Sequence, residues 1–287
     1  VERRLGVQYS LRWIEGNGVA SLRTYCITHE APMVPDHLAD YVIGIGDYHP
    51  QRGAHIAALD AFWDRMRPYA YGAAGNYVIP LAMDATGPTH LTGIFSHRKI
   101  IVRTQIGEPS AVLDFYHEVT VPEAKAIPRE EIEPRPGCEF LIGFPLKFHC
   151  GVVEHYIETH LGIDLFEYVS MAVGMGILTL DEAQAFAEEK FLIPGGCELG
   201  VYPTAWVRPV LEKLENLGRE FVTRCAPRIG TYDNFQVRAV GFLAERLGSF
   251  FLLTELKNRF PGGIPSELCG YLCAIVPPGG SYQNATV

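Results

Sequence analysis

Leu22-Arg23-Thr24-Tyr25-Cys26-Ile27-Thr28, with Tyr41-Val42-Ile43-Gly44-Ile45 a short way downstream, decides the fold class. Both are apolar runs of strand length, rich in β-branched and aromatic residues, and both read as buried strands. From residue 54 to 66 the period changes. Ile56, Leu59 and Trp63 recur on one side, which predicts an amphipathic helix. Strands alternating with helix predict an α/β sheet. Further strands are expected at 77–83, 91–95, 99–103 and 111–115.

A stretch rich in Pro and Glu, 122–137, then interrupts regular structure and reads as a solvated connector or a lid. After an apolar run at 139–144 the chain turns mostly helical. Thr179 and Glu182 form a capping box for a helix running to Lys190. Asp233 and Gln236 are placed to open a long helix ending near Phe260, where Pro261-Gly262-Gly263 stops it. Gly162 reads as a helix stop, with His160 in the last turn, and Asp164 with Glu167 has the form of a capping box for the next helix. The expectation is one domain over 1–287, sheet-rich to about 145 and mostly helical from 146.

Nearly half of the 287 residues are apolar, 48%, enough for a substantial core. The 24 basic against 33 acidic residues leave a net charge of −9, the wrong sign for a partner of nucleic acid. A diphosphate is a smaller demand, and a local pair such as Arg98-Lys99 can serve it. Seven cysteines with no Cys-x-x-Cys pair argue for reduced thiols rather than a zinc site. His149, Cys150, His155 and His160 do not stack on one helical face as metal ligands would. No segment is long and apolar enough to be transmembrane, and no leader pattern opens the chain. A cytoplasmic protein is expected, with peripheral contact at the inner membrane face left open.

Two polar constellations sit in apolar helical surroundings. One is Tyr156, His160 and Asp164. The other is Arg238, Gly241, Phe242, Leu243, Glu245, Arg246 and Leu247. The second lies on a helix apolar nearly all round, so its charges must be paired or hydrogen-bonded. An internal ion network and a binding site are both open readings.

These two runs, together with Thr28-His29 after the first strand, resemble a family filed as a domain of unknown function. Its members are called capsular or exopolysaccharide biosynthesis proteins and are taken to be glycosyltransferases. The likeness extends in order from about Thr24 to Leu253. It departs at 93–101, where the family's His-Tyr before a basic pair becomes Ser96-His97 before Arg98-Lys99. It departs again at Cys138-Glu139 and around Cys197-Glu198-Leu199-Gly200. The resemblance implies an A-type glycosyltransferase-like sheet that binds a nucleotide-sugar donor, a helical second half, and a glycan or lipid-linked acceptor.

It also implies roles: Asp164, His160 and Glu245 as catalytic candidates, and Thr28, His29, His97, Arg98, Lys99, Glu139, Tyr156, Arg238 and Arg246 as substrate contacts. Many A-type enzymes hold the diphosphate through a metal on an Asp-x-Asp motif, and this sequence has none. Arginine, lysine and helix N-termini are then the expected charge stabilisers, while carboxylates distant in sequence leave a divalent metal open. Arg238, Glu245 and Arg246 are expected as one paired cluster lining a cleft shared with His160 and Asp164. The rival readings are an inactive glycan-binding or scaffolding relative and a hydrolase using Cys150 or paired carboxylates.

Overall fold

The structure is a computed structural model that describes residues 21–282. Its first part alternates as the apolar pattern requires: β1 (Leu22–Thr28), β2 (Tyr41–Gly44), β3 (Gly53–His55), α1 (Ile56–Leu59), α2 (Ala61–Ala70), α3 (Gly72–Tyr77), α4 (Ile79–Thr86) and β4 (Leu91–Ser96). Next come β5 (Lys99–Val102), β6 (Glu108–Pro109), β7 (Tyr116–Thr120), α5 (Val121–Ala126), β8 (Ile142–Gly143) and β9 (Leu146–Lys147). The remainder is α6 (Val152–Ile157), α7 (Gly162–Gly174), α8 (Leu180–Glu188), β10 (Phe191–Leu192), β11 (Gly200–Pro203), α9 (Thr204–Ile229), α10 (Ala239–Arg259) and β12 (Cys269–Val276).

Ten strands form one mixed sheet in the order β3-β2-β1-β4-β5-β12-β7-β6, with β11 added to β4 and β8 to β12. β1 runs parallel to β2 on one side, Tyr25 opposite Tyr41, and parallel to β4 on the other, Leu22 opposite Leu91. The chain therefore winds outward in both directions from β1. The carboxyl ends of β1 and β4 consequently meet at the switch point of the sheet, the place where open α/β sheets hold ligands.

Several expected elements change identity. Residues 77–83 are helical, because an apolar run buried on all sides has no period to separate strand from helix, and Pro80 sits in the first turn of α4 where its missing N–H costs nothing. The strand expected at 111–115 arrives later, as β7. The helix expected at 54–66 is broken at Asp60, whose Oδ1 accepts the Phe62 N–H at 2.8 Å and starts α2 afresh. The interrupted stretch after 121 contains α5, opened by a capping box between Thr120 and Glu123.

Farther on, Thr179 and Glu182 form the expected capping box. Asp233 Oδ1 accepts the N–H groups of Phe235 and Gln236, although a 3-10 turn (Gln236–Arg238) intervenes before α10. Gly162 begins α7 instead of stopping α6, and Asp164 lies inside its first turn with no capping box. The C-terminal half is not purely helical, since β12 lies in the middle of the sheet.

Helices on one face bury Trp63, Tyr77, Leu211, Phe221, Leu243 and Leu253 against the sheet, each side chain contributing roughly 1.5–3 kcal/mol. A second core on the other face is built from Phe95, Ile101, Val119 and Ile275 with α5. Among the described residues no helix is long and apolar enough to cross a membrane.

Candidate functional site

The switch point is lined by residues that end parallel strands. Thr28 closes β1, and its hydroxyl accepts the Glu30 N–H at 3.2 Å and donates to the Glu30 carbonyl, so the chain turns sharply off the sheet. That turn brings His29 edge-on to His97, which lies just past β4, with ring centroids 4.9 Å apart. His97 is pushed down to about 4, by burial first and then by His29, Arg98 and Lys99 beside it. Its 3.5 Å contact with Glu30 is therefore made as a neutral imidazole.

His97 and Arg98 form the tight connection from β4 to β5, Ser96 pairing with Lys99 at the start of β5. The Arg98 guanidinium lies over the Tyr282 ring at 4.8 Å, and the Lys99 ammonium lies over Tyr116 and Tyr282 at 5.2 and 5.4 Å. Burial disfavours the Lys99 ammonium, but the two phenol oxygens outweigh it and hold the group well above lysine's ordinary range.

A cation that the sequence does not mark out, Arg67 of α2, lies against the loop after β2. A Cβ on Gly46 would stand 2.8 Å from its Cζ, and Gly46 has φ +64. Arg67 Nε is buried without a hydrogen-bond partner, and no carboxylate among the described residues pairs with the guanidinium. Arg67 thus offers unspent positive charge at the same edge of the sheet.

The loop from Ile193 to Leu199, which leads into β11, is fixed on α10. Gly195 N–H donates to Glu245 Oε1 at 2.8 Å, Ile193 N–H to Ser249 Oγ at 2.8 Å, and Cys197 Sγ–H to the Gly248 carbonyl at 3.2 Å. Gly196, at φ +52, approaches α10 so closely that a Cβ there would stand 2.5 Å from the Glu245 carbonyl oxygen. The loop presents Glu198. Burial first and then the Glu245 carboxylate push its carboxyl up to about 8, against the opposing pull of Lys99 and the Asn76 amide. Neither Glu198 nor Asn76 stands out in the sequence; the local signal is the Gly195-Gly196 pair.

The two helical constellations meet, though not as one ion cluster. Arg246 is buried and donates to the Phe242 carbonyl at 3.0 Å; its Nη2 lies 3.4 Å from His155 Nδ1 and its guanidinium 5.0 Å from the Tyr156 ring centroid. His160 stacks on Phe235 and Phe242, with centroids 5.2 and 4.3 Å away, and Arg238 lies over the same two rings. Burial and then Arg246 push His160 down to about 4. Glu245 turns away from Arg246 to the Gly195 N–H, because adjacent helical positions point about 100° apart.

Asp164 is fully buried and committed elsewhere. Its Oδ1 accepts Arg228 Nη2 at 2.6 Å and the Tyr232 hydroxyl at 3.2 Å, and Arg228 also holds Glu167 at 2.6 Å. Desolvation raises the Asp164 pKa and Arg228 opposes it. Glu139 pairs with Arg259 at 2.8 Å, near the C-terminal end of α10. Arg259 is roughly 21 Å along that helix from Glu245 at 1.5 Å rise per residue. The structure therefore gathers Thr28, His29, His97, Arg98 and Lys99 at the strand ends, places Glu245 behind the facing loop, and leaves Asp164 and Glu139 in ion pairs of their own.

Among the described residues one trio of ligand-type atoms lies within 4.8 Å, that of His149, Cys150 and Glu158, on the loop leading to α6 and at its end. The strand-end donors are histidines, cations and single carboxylates, so they do not assemble a set for a hard divalent ion. Cys150 is raised above the ordinary thiol range by desolvation and by Glu158 and Glu154, the reverse of an activated nucleophile. Two shallow surface depressions, of about 210 and 310 Å³, lie beside Arg208 and beside Arg228, away from the strand ends.

No family model and no curated protein matches the chain. Among solved structures it is similar to WbbM, a bifunctional glycosyltransferase in its apo form, with a TM-score of 0.62 and 11% identity over 89% of this chain. The chain spans 45% of that protein's length. The fold is accordingly glycosyltransferase-like, a mixed α/β architecture around a ten-stranded sheet.

Proposed function

We propose that the protein is a glycosyltransferase that moves a sugar from a nucleoside-diphosphate donor to a hydroxyl of a glycan or lipid-linked acceptor in polysaccharide assembly. The observation that carries this reading is the convergence of Thr28, His29, His97 and Lys99 on the carboxyl ends of β1 and β4, in a fold shared with a glycosyltransferase. Donor diphosphate lies across these strand ends, with the sugar toward the loop that carries Glu198. Lys99, Arg98 and Arg67 meet the charge that grows on the leaving diphosphate, a task that fixed cations in a partly dry site perform well. The chemistry of the donor set supports binding that needs no divalent ion.

Calorimetric titration with uridine, guanosine, cytidine and thymidine diphosphates, with and without a chelator, tests this. One of the four should bind with micromolar affinity and keep that affinity on chelation. Absence of binding by all four removes the donor site, and loss on chelation alone removes the metal-free part. The reading of an inactive glycan-binding relative is favoured by one observation, Ser96-His97 in place of the family's His-Tyr, and predicts glycan binding with no nucleotide binding.

A further inference from the structure

We infer that His149, Cys150 and Glu158 form a site for zinc or a similar late transition-metal ion, which clamps the C-terminal end of α6 to the loop that opens it. The ion is independent of the donor site proposed above. His149 and Cys150 are adjacent on the loop after β9, and Glu158 caps α6. That helix is less than two turns long, so side chains from its two ends can meet alongside it.

The distances fit a metal. His149 Nε2 lies 3.2 Å from Glu158 Oε1, and Cys150 Sγ falls with both inside a span of 4.8 Å. Around a tetrahedral zinc with bonds of about 2.0–2.3 Å, neighbouring donor atoms stand about 3.3–3.6 Å apart. The nitrogen and oxygen are already near that separation, and the sulfur completes the set by a shift on the order of 1 Å. An ordinary surface ion pair accounts for the histidine and the glutamate, but not for a thiol beside both.

The donor types select the ion. Thiolate and imidazole with a single carboxylate suit zinc or cobalt(II), whereas magnesium and calcium take oxygen ligands. The thiolate and the carboxylate together balance a dication, and binding sheds the Cys150 proton to solvent. The His149 and Glu158 side chains are 75% and 50% exposed, so the ion enters from solvent and water takes the fourth position.

The backbone beneath the ligands is already fixed. Phe148 N–H donates to the Lys190 carbonyl at 2.7 Å and Val152 N–H to the Glu189 carbonyl at 2.9 Å, so His149 and Cys150 stand between two anchors. Gly151 lies so close to α8 that a Cβ there would stand 2.6 Å from the Ala187 carbonyl oxygen. The Phe148 and His155 rings stack with centroids 3.6 Å apart, which holds α6 against the same loop. Ligands on a fixed backbone lose little freedom on binding. Because His155 Nδ1 lies 3.4 Å from Arg246 Nη2, the clamped helix is also the one that packs on the buried arginine of α10.

The test takes the full chain, reduced and freed of metal by chelation, and titrates it with cobalt(II) and then zinc. Wild type should take up one cobalt, with thiolate-to-metal charge-transfer absorption and the intense visible bands of a tetrahedral ion. Zinc should displace it, and magnesium in large excess should not. Cys150→Ser should lose the charge-transfer band, and His149→Ala and Glu158→Gln should each weaken binding at least about tenfold. Zinc should also raise the urea midpoint of wild type and leave that of Cys150→Ser unmoved. Because His149 and Glu158 are exposed, their variants keep the fold and report on the ion alone. No stoichiometric cobalt in wild type, a charge-transfer band that persists in Cys150→Ser, or unchanged affinity in both His149→Ala and Glu158→Gln overturns the site. The trio is then a surface ion pair beside a thiol.

Discussion

Glu245 and Arg246 are adjacent on α10 yet serve different partners: Glu245 Oε1 accepts the Gly195 N–H at 2.8 Å, while Arg246 donates to the Phe242 carbonyl at 3.0 Å and lies over Tyr156. The carboxylate therefore anchors the Glu198 loop, and the arginine anchors α6. Glu245→Ala leaves one backbone donor unpaired and should cost about 1–3 kcal/mol, less than the roughly 3–5 expected from breaking a buried ion triad. Glu245→Gln keeps an acceptor and should cost under about 1 kcal/mol. Urea titration of the two variants separates these cases; equal losses would remove the anchoring role.

Lys99 and Arg67 supply the charge proposed for the diphosphate. Lys99→Met keeps the apolar stem between Tyr116 and Tyr282 and removes only the ammonium. Each loss should weaken nucleoside diphosphate binding by about 1.5–3 kcal/mol, the range for a charge-assisted hydrogen bond. Because both cations meet one diphosphate, a double-mutant cycle should show a coupling of about 0.5–3 kcal/mol between them. Unchanged affinity in either variant takes that residue out of the site.

How far the fold and site are legible in the sequence depends on what each residue's neighbours along the chain reveal. β1, β2 and β4 announce themselves because short runs rich in β-branched and aromatic residues have strand length, and Thr28, His29 and His97 are then legible as residues at the ends of buried strands. Residues 77–83 read as strand although they are helical, because their apolarity has no period. β12 escapes a sequence reading because its place depends on pairing with β5 and β7, far away along the chain. Glu198 is a single acid in a loop; only the fold reveals that this loop is tied to α10 through Glu245, Gly248 and Ser249. The expected junction of Asp164 with Glu245 fails for a local reason, since Arg228 on α9 reaches Asp164 first.

Two opposed titrations shape the pH dependence of stability. His97 and His160 are pushed down to about 4, so the unfolded chain binds their protons first; their contribution is complete above pH 6.5 and is lost as pH falls toward 4, at most about 2 kcal/mol each after discounting for solvent. Glu198 is pushed up to about 8, so its effect runs the other way: it favours the fold below pH 4.5 and loses that as pH rises through 8. The windows overlap, so variants isolate them. Urea titrations should show Glu198→Gln gaining on wild type as pH rises from 5 to 9, and His160→Gln gaining as pH falls from 7 to 4.5. A constant difference across pH in either series contradicts the assignment of that group.

Arg228 and Asp164 give the clearest structural test, because Asp164 is fully buried and Arg228 is its charged partner. Arg228→Met leaves that carboxylate enclosed with only the Tyr232 hydroxyl, and should cost about 3–5 kcal/mol at pH 7.5. Without the guanidinium, desolvation acts unopposed and the Asp164 pKa rises further. Protonation then relieves the stranded charge, so the penalty measured against wild type should shrink by pH 4.5. Adding Asp164→Asn to Arg228→Met should recover much of the loss at pH 7.5, since a neutral amide replaces the charge. A penalty under about 1 kcal/mol, or one that grows on acidification, would mean that Asp164 does not depend on Arg228, and would return it to consideration as a group held ready for a ligand.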